Sequence, residues 1–149
     1  MNTGLAVEIA VVLARGFEGL YLSPYLCPAG IPTIGLGATY YESGAPVTLH
    51  DPAITRARAE ALLLWMIHTR YLPAVLKLCP GVNSPERLAA IIDFTFNLGS
   101  GRLKTSTLRK RINAGRWGDV PTELRKWTRG GGRVLRGLVR RREAEILLV

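Results

Sequence analysis

Residues 18–37 read EGLYLSPYLCPAGIPTIGLG, and the fold turns on this stretch. Pro24, Pro28, Gly30, Pro32, Gly35 and Gly37 break any helix that enters it. Thr33-Ile34 is β-prone, and so is Val47-Thr48 further on, after Gly44 and Pro46. Residues 21–50 therefore read as a small set of strands joined by tight turns. Glu18 stands where a preceding helix meets that sheet, with apolar Phe17, Leu20 and Leu22 around it. A carboxyl among apolar groups loses hydration in its charged form, so it keeps a proton more readily and can donate it. A surface glutamate at a helix end is the other reading these residues allow. Gly35 and Gly37, at alternate strand positions, leave one face bare for a ligand or another backbone. A plain hairpin would use them equally well, and their spacing matches no Gly-rich nucleotide fingerprint.

Upstream, Leu5, Ile9, Leu13 and Phe17 recur at helical spacing, which predicts a helix over 5–20 ended by Gly19. Downstream, Thr55 is the predicted N-cap of a helix running to Leu78, bent where Pro73 lacks an amide donor. Pro80-Gly81 closes it. Ser84-Pro85-Glu86 is a cap, a rigid first position and an acid near the positive helix end. The helix it starts carries Leu88, Ile91, Ile92 and Thr95 as a stripe and ends at Asn97-Leu98-Gly99. Ser106 opens a short helix that Gly115 stops. Asp119 is the expected cap of a segment holding Leu124 and Trp127. Gly130-Gly131-Gly132 reads as a flexible break, and a last helix spans 135–147, packing by Leu138, Ile146 and Leu147. The layout predicts one α+β domain over 1–149, mainly α, with a small sheet lobe at about 18–54 and a helical lobe beside it.

The chain has 149 residues and a net charge of +9. Residues 1–100 hold six basic and seven acidic side chains, a net −1, whereas residues 101–149 hold fourteen basic and four acidic ones, a net +10. Such a cationic half steers polyanions, whether nucleic acid or a bacterial wall bearing carboxylates and phosphates. Arg140, Arg141 and Arg142 read as a solvated helix face or as holders of wall carboxylates. No apolar run is long enough to span a bilayer. The first twenty residues carry Glu8 and lack a basic start and a small-residue cleavage site, so they do not read as a signal peptide. Cys27 and Cys79 are too few for a disulfide scaffold, although a bridge between them stays open. His50 and His68 are isolated, so neither a metal nor a cofactor is expected. Trp65, Trp117 and Trp127 read as core more readily than as sugar platforms.

Glu18-Gly19, Tyr25, Gly30 and Thr33-Ile34-Gly35-Leu36-Gly37 together resemble the active-site motif of the phage-type lysozymes, glycoside hydrolase family 24. The similarity continues through Phe94-Thr95-Phe96-Asn97-Leu98-Gly99, Ser106-Thr107-Leu108, Asn113-Ala114-Gly115, Trp127 and the ending Gly137 to Glu145, so it covers nearly the whole chain. The resemblance implies a lysozyme-like fold with a cleft between the lobes. It also implies an endolysin that hydrolyses the β-1,4 link between N-acetylmuramic acid and N-acetylglucosamine in peptidoglycan. Glu18 would be the proton donor, Cys27 and Thr33 would position the water, and Asn97, Gly35, Gly37 and Arg141 would meet substrate.

Two positions depart from the family. An Asp commonly follows the acid by nine residues, and here Cys27 stands in its place, in a Leu26-Cys27-Pro28-Ala29-Gly30 version that resembles one branch. A thiol matches a carboxylate only if it ionises. A His often follows the Gly at position 37, and here Ala38-Thr39 does, which puts a supporting salt bridge in doubt. The expected partner is peptidoglycan, with no nucleic acid, no stable membrane insertion and a monomeric state. The expected route is synthesis in the host bacterial cytoplasm and arrival at the wall through a membrane lesion. A lytic transglycosylase is the alternative enzyme, because it needs one acid and no second carboxylate. A non-catalytic cationic binder of wall or nucleic acid is the alternative from another class.

Overall fold

The computed structural model describes residues 1–149. Helix α1, Thr3–Phe17, starts where the Asn2 side chain accepts the Leu5 amide at 3.0 Å. It ends at Phe17 rather than 20, because Glu18 takes an extended conformation while its amide still reaches the Ala14 carbonyl at 2.9 Å. Strands β1, Tyr21–Leu26, and β2, Pro32–Gly35, then pair antiparallel, with a bulge between Tyr21 and Tyr25. Pro24 sits inside β1, where a sequence reading does not look for a strand. The two-stranded sheet leaves that edge unpaired, and an edge tolerates a missing donor. The expected strand at Val47-Thr48 is absent. Val47 is buried in a loop where its amide bonds the Thr39 carbonyl, beside a single bridge between Tyr40 and Pro46.

Thr55 Oγ1 accepts the Arg58 amide at 3.1 Å and starts α2, Arg56–Met66, as its sequence predicts. A π-helical turn over Ile67–Tyr71 stands just before Pro73, where the sequence predicts a bend, and α3 runs on from Leu72 to Leu78. The backbone stays helical through Leu72, whose amide reaches the Ile67 carbonyl, so the wider turn accommodates the donor that Pro73 lacks. Ser84 Oγ accepts the Arg87 amide at 3.2 Å and starts α4, Pro85–Leu98. Gly99 ends it at φ 93°, a conformation that glycine adopts freely. Every residue from Leu88 to Thr95 is buried, so α4 is enclosed all round over that span and forms the axis of the core. Each large apolar side chain there contributes about 1.5–3 kcal/mol by leaving water.

Helix α5, Ser100–Thr105, has no counterpart in the sequence reading, whereas α6, Thr107–Asn113, has the expected cap, Ser106 Oγ accepting the Arg109 amide at 3.0 Å. A 3₁₀ turn at Trp117–Asp119 leads into α7, Val120–Arg125. Asp119 makes no side-chain cap there; it pairs with Arg116 at 2.9 Å, and Trp127 falls beyond the helix. The triple glycine is not a loose break. Gly131 and Gly132, at φ 59° and 81°, form the turn of a hairpin between β3, Arg129–Gly130, and β4, Arg133–Val134.

Helix α8, Arg136–Ile146, corrects the sequence reading most sharply. Leu147, expected to pack, is 87% exposed. The side chains α8 buries include Arg141, Arg142 and Glu145, so two of the three arginines read as a solvated face lie inside the protein. Trp65, Trp117 and Trp127 are all half-buried against the core. Both cysteines are free thiols, Cys27 half-buried and Cys79 buried. No helix is long and apolar enough to cross a membrane.

Candidate active site

Glu18 occupies the seam between the β1–β2 sheet and the helices. One concavity of about 400 Å³ joins it to Phe17, Asn97, Leu135, Gly137, Leu138 and Arg141. A second, of about 180 Å³ on the sheet side, joins it to Arg15, Leu20, Leu36, Arg56 and Glu60. The largest concavity on the surface, about 500 Å³ between α1 and α8, is lined by Leu5, Ile9, Val12, Leu13, Leu147 and their neighbours. It offers Glu8 as its one ionisable group and no chemistry.

The Glu18 side chain is 25% exposed, and its Oε1 accepts a 2.8 Å hydrogen bond from Arg141 Nη1. The purely apolar setting expected for Glu18 is therefore corrected. Arg141 is 4% exposed and spends its other donors on Asp93, Nε at 2.9 Å and Nη2 at 2.8 Å. Its guanidinium also faces the Phe17 and Phe96 rings, at 5.4 and 5.9 Å. Burial works against its charge, and the bonds to Asp93 and then Glu18 outweigh it, so Arg141 stays protonated. Asp93, on α4, is fully buried and takes two of the three bonds. Arg141 thus holds Glu18 by one oxygen from behind. Its hold on substrate carboxylates, expected from sequence, is not what this geometry offers.

Glu18 Oε2 faces Gly37. A Cβ on Gly37 would lie 3.4 Å from that oxygen and 3.6 Å from Phe96 Cζ, at φ +90°. Only a glycine leaves this space open without strain. Gly35 is different. A Cβ there would meet Ala59 Cβ at 3.2 Å, so the bare face expected to receive ligand is covered by α2. Ala38, in place of the family's His, is wholly buried and bonds only through its backbone, to Ile34 at 2.9 and 3.0 Å.

Thr33 and Cys27 belong to the β1–β2 hairpin, and neither lines the two concavities that Glu18 borders. Thr33 is buried on β2 opposite Tyr25, and its hydroxyl donates to the Ile31 carbonyl at 2.9 Å. Cys27 follows β1 in the turn. The Ile31 amide first, helped by the Ala29 amide and the Thr33 hydroxyl and opposed by burial, holds its thiol below the usual value. Thr33 has one hydroxyl proton, so it serves a Cys27 thiolate only by releasing the Ile31 carbonyl. Burial raises the Tyr25 phenol, and the charges of Tyr21, Glu18 and Cys27 add to this, so Tyr25 belongs to the same neighbourhood.

Asn97 lines the cleft, and its Oδ1 accepts Arg142 Nη2 at 2.8 Å, which leaves its amide nitrogen for a ligand. Arg142 also holds Glu145 Oε1 at 2.7 Å and the Trp127 carbonyl at 3.3 Å. Glu145 Oε2 has no donor in reach. Burial, then a hydrogen bond to Asp93, pushes the Glu145 carboxyl well above the usual range. A proton on Oε2 given to Asp93 satisfies both groups. Sequence reasoning placed Phe17 beside Glu18 and Phe96 in the family motif but missed, first, Asp93 and, second, the role of both rings against Arg141. An acid inside the apolar run Ile91-Ile92-Asp93-Phe94 was the available signal for the first. No three His, Cys, Asp or Glu side chains gather as a metal site.

A carboxyl at the seam of a small sheet and a helical lobe, gripped from behind by Arg141 and open toward Gly37, is an arrangement that suits a lysozyme-class hydrolase. The comparisons agree. The family model described as phage lysozyme matches residues 15–145. The SAR-endolysin of Bacteriophage PS119 is 34% identical, over 96% of this chain and 86% of that protein. The endolysin of Bacillus phage B103 is 32% identical over 93% of this chain, which spans 51% of that longer protein. The solved structure of an endolysin from Escherichia coli O157:H7 phage FAHEc1 superposes with a TM-score of 0.82 at 30% identity, covering 94% of this chain and 89% of that one. The chain belongs to the phage lysozyme family.

Proposed function

We propose that the chain, as one lysozyme-like domain, hydrolyses the β-1,4 bond between N-acetylmuramic acid and N-acetylglucosamine in peptidoglycan. The observation that carries this reading is the asymmetric hold on Glu18: Oε1 on Arg141 at 2.8 Å, Oε2 facing the space that Gly37 leaves open. Oε2 delivers the proton to the glycosidic oxygen as the bond to the anomeric carbon breaks. Arg141 shares its charge with Asp93, so it orients Glu18 without owning it. A water ordered by Thr33 attacks the anomeric carbon and passes its proton to the Cys27 thiolate, and exchange with solvent returns Glu18 and Cys27 to their starting states. Asn97 offers its amide nitrogen to a sugar acetamido oxygen. The cationic half, residues 101–149, raises the local concentration of the anionic wall, an effect that salt screens. The enzyme acts at the wall, reached from the host cytoplasm through a membrane lesion, as a monomer with no nucleic-acid partner.

Cys27 in place of a carboxylate favours one second reading, a lytic transglycosylase. Masses of the products from purified peptidoglycan separate the two. Fragments carrying an added water support hydrolysis; anhydro-muramyl ends without it overturn that assignment in favour of the transglycosylase.

A further inference from the structure

A second concavity with binding chemistry lies away from the acid. It holds about 270 Å³ and is lined by Tyr40, Tyr41, Gly44, Trp65 and Arg70. Tyr40 is 44% exposed, so its ring borders open solvent at the mouth of this space. Arg70 sits inside the π-helical turn, and its guanidinium carbon lies 5.6 Å from the Tyr40 ring and 5.9 Å from the Tyr71 ring. A π-turn inserts a residue into a helix and re-aims the side chains beyond it, and such turns concentrate at functional sites. Arg70 is absent from every ion pair in the protein. The acids near this loop are engaged elsewhere: Glu42 holds Arg58 at 2.8 Å, and Asp51 accepts the Tyr41 hydroxyl at 2.7 Å and the Thr48 hydroxyl at 2.6 Å.

Ring packing relates this pocket to the catalytic seam. Glu18 Oε2 and Phe96 both border the space beside Gly37. Phe96 meets Tyr71 edge to face with centroids 5.2 Å apart, and Tyr71 in turn faces Arg70. Three residues after Gly37 the chain reaches Tyr40. A relay of packed rings therefore links the acid to the Arg70 guanidinium.

We propose that Tyr40, Trp65 and Arg70 form a distal subsite that takes a muramyl unit of the strand, Arg70 binding a carboxylate of its peptide substituent. Ring faces suit the C–H face of a pyranose, and a guanidinium binds a carboxylate through two parallel donors. The pair of features selects a sugar that bears an anion over a bare amino-sugar polymer. This inference rests on the peptidoglycan reading above.

The test uses full-length Glu18→Gln protein, so that binding is measured without cleavage, alone and combined with Arg70→Ala, Tyr40→Ala or Arg102→Ala. Arg102 is an exposed cation of α5, outside the pocket, and controls for general charge. Co-sedimentation reads affinity for intact sacculi and for chitin, a bare amino-sugar polymer that carries no lactyl or peptide carboxylate. Arg70→Ala is expected to weaken binding to intact sacculi about tenfold, from the loss of charge-assisted hydrogen bonds. It should leave binding to chitin within twofold. Tyr40→Ala should weaken both, and Arg102→Ala neither by more than twofold. Equal binding by Arg70→Ala and its parent on intact sacculi overturns the proposal, and so does an equal loss on both substrates. Reducing-end release by the wild-type chain is measured in parallel. Its absence would overturn the hydrolase reading while the binding arms still decide the subsite.

Discussion

Arg141→Met removes the cation that joins Glu18 to Asp93 and keeps an unbranched stem between Phe17 and Phe96. The magnitude comes from burial. Asp93 is fully buried and receives two bonds, at 2.9 and 2.8 Å, from Arg141. Without them it is an uncompensated charge in the core, and breaking such a pair costs about 3–5 kcal/mol. Urea unfolding at neutral pH measures this. Adding Asp93→Asn removes the stranded charge, so the double variant should regain about 2 kcal/mol or more. Activity should not return with stability, because Glu18 Oε1 has lost its only fixed donor in both proteins. A folded, stable and inactive double variant separates positioning from folding. Two results would refute the reasoning: Arg141→Met within about 1 kcal/mol of wild type, or a double variant with wild-type turnover.

Other outcomes rest on single contacts. The Glu145 carboxyl is held well above its ordinary 4.5, so its proton stabilises the fold at acid pH. That contribution is full below the unfolded value and lost as pH rises toward the folded one. Glu145→Gln keeps a neutral donor at every pH. Its melting temperature relative to wild type should therefore climb as pH rises from about 4.5 toward neutrality, and parallel profiles would contradict the protonated form. Gly37→Ala forces a side chain to φ +90° beside Glu18 Oε2. It should cost about 1–2 kcal/mol in thermal or urea unfolding and depress turnover by more than that loss explains. Iodoacetamide mapped by mass should label Cys27 at a lower pH than an ordinary thiol, since backbone amides hold its value down. Cys79, buried and pushed up to about 11, should stay unlabelled in the folded protein.

Local chemistry was legible in the sequence, and partnership across the chain was not. Thr55, Ser84 and Ser106 announce helix starts because a cap needs only a side chain and an amide three residues on. The acid at the helix–sheet junction was visible through Glu18 and the glycines after it. Strand β1 was not, because Pro24 and Ser23 hide a strand that its partner β2 and a bulge make possible. The π-turn left no periodic trace. The buried arginines of α8 were misread for a similar reason. Arg141 finds Asp93 forty-eight positions away and Glu18 at the opposite end of the chain. Hydrophobic periodicity assigns such charges to solvent unless the partner is known.

The central claim is that Glu18 is the proton donor, and it is tested most directly by reducing-end release from one purified peptidoglycan with wild type, Glu18→Gln and Cys27→Asp. The account predicts near-complete loss for Glu18→Gln in a protein that still melts like wild type, and activity retained or raised for Cys27→Asp. Wild-type release by Glu18→Gln would contradict it.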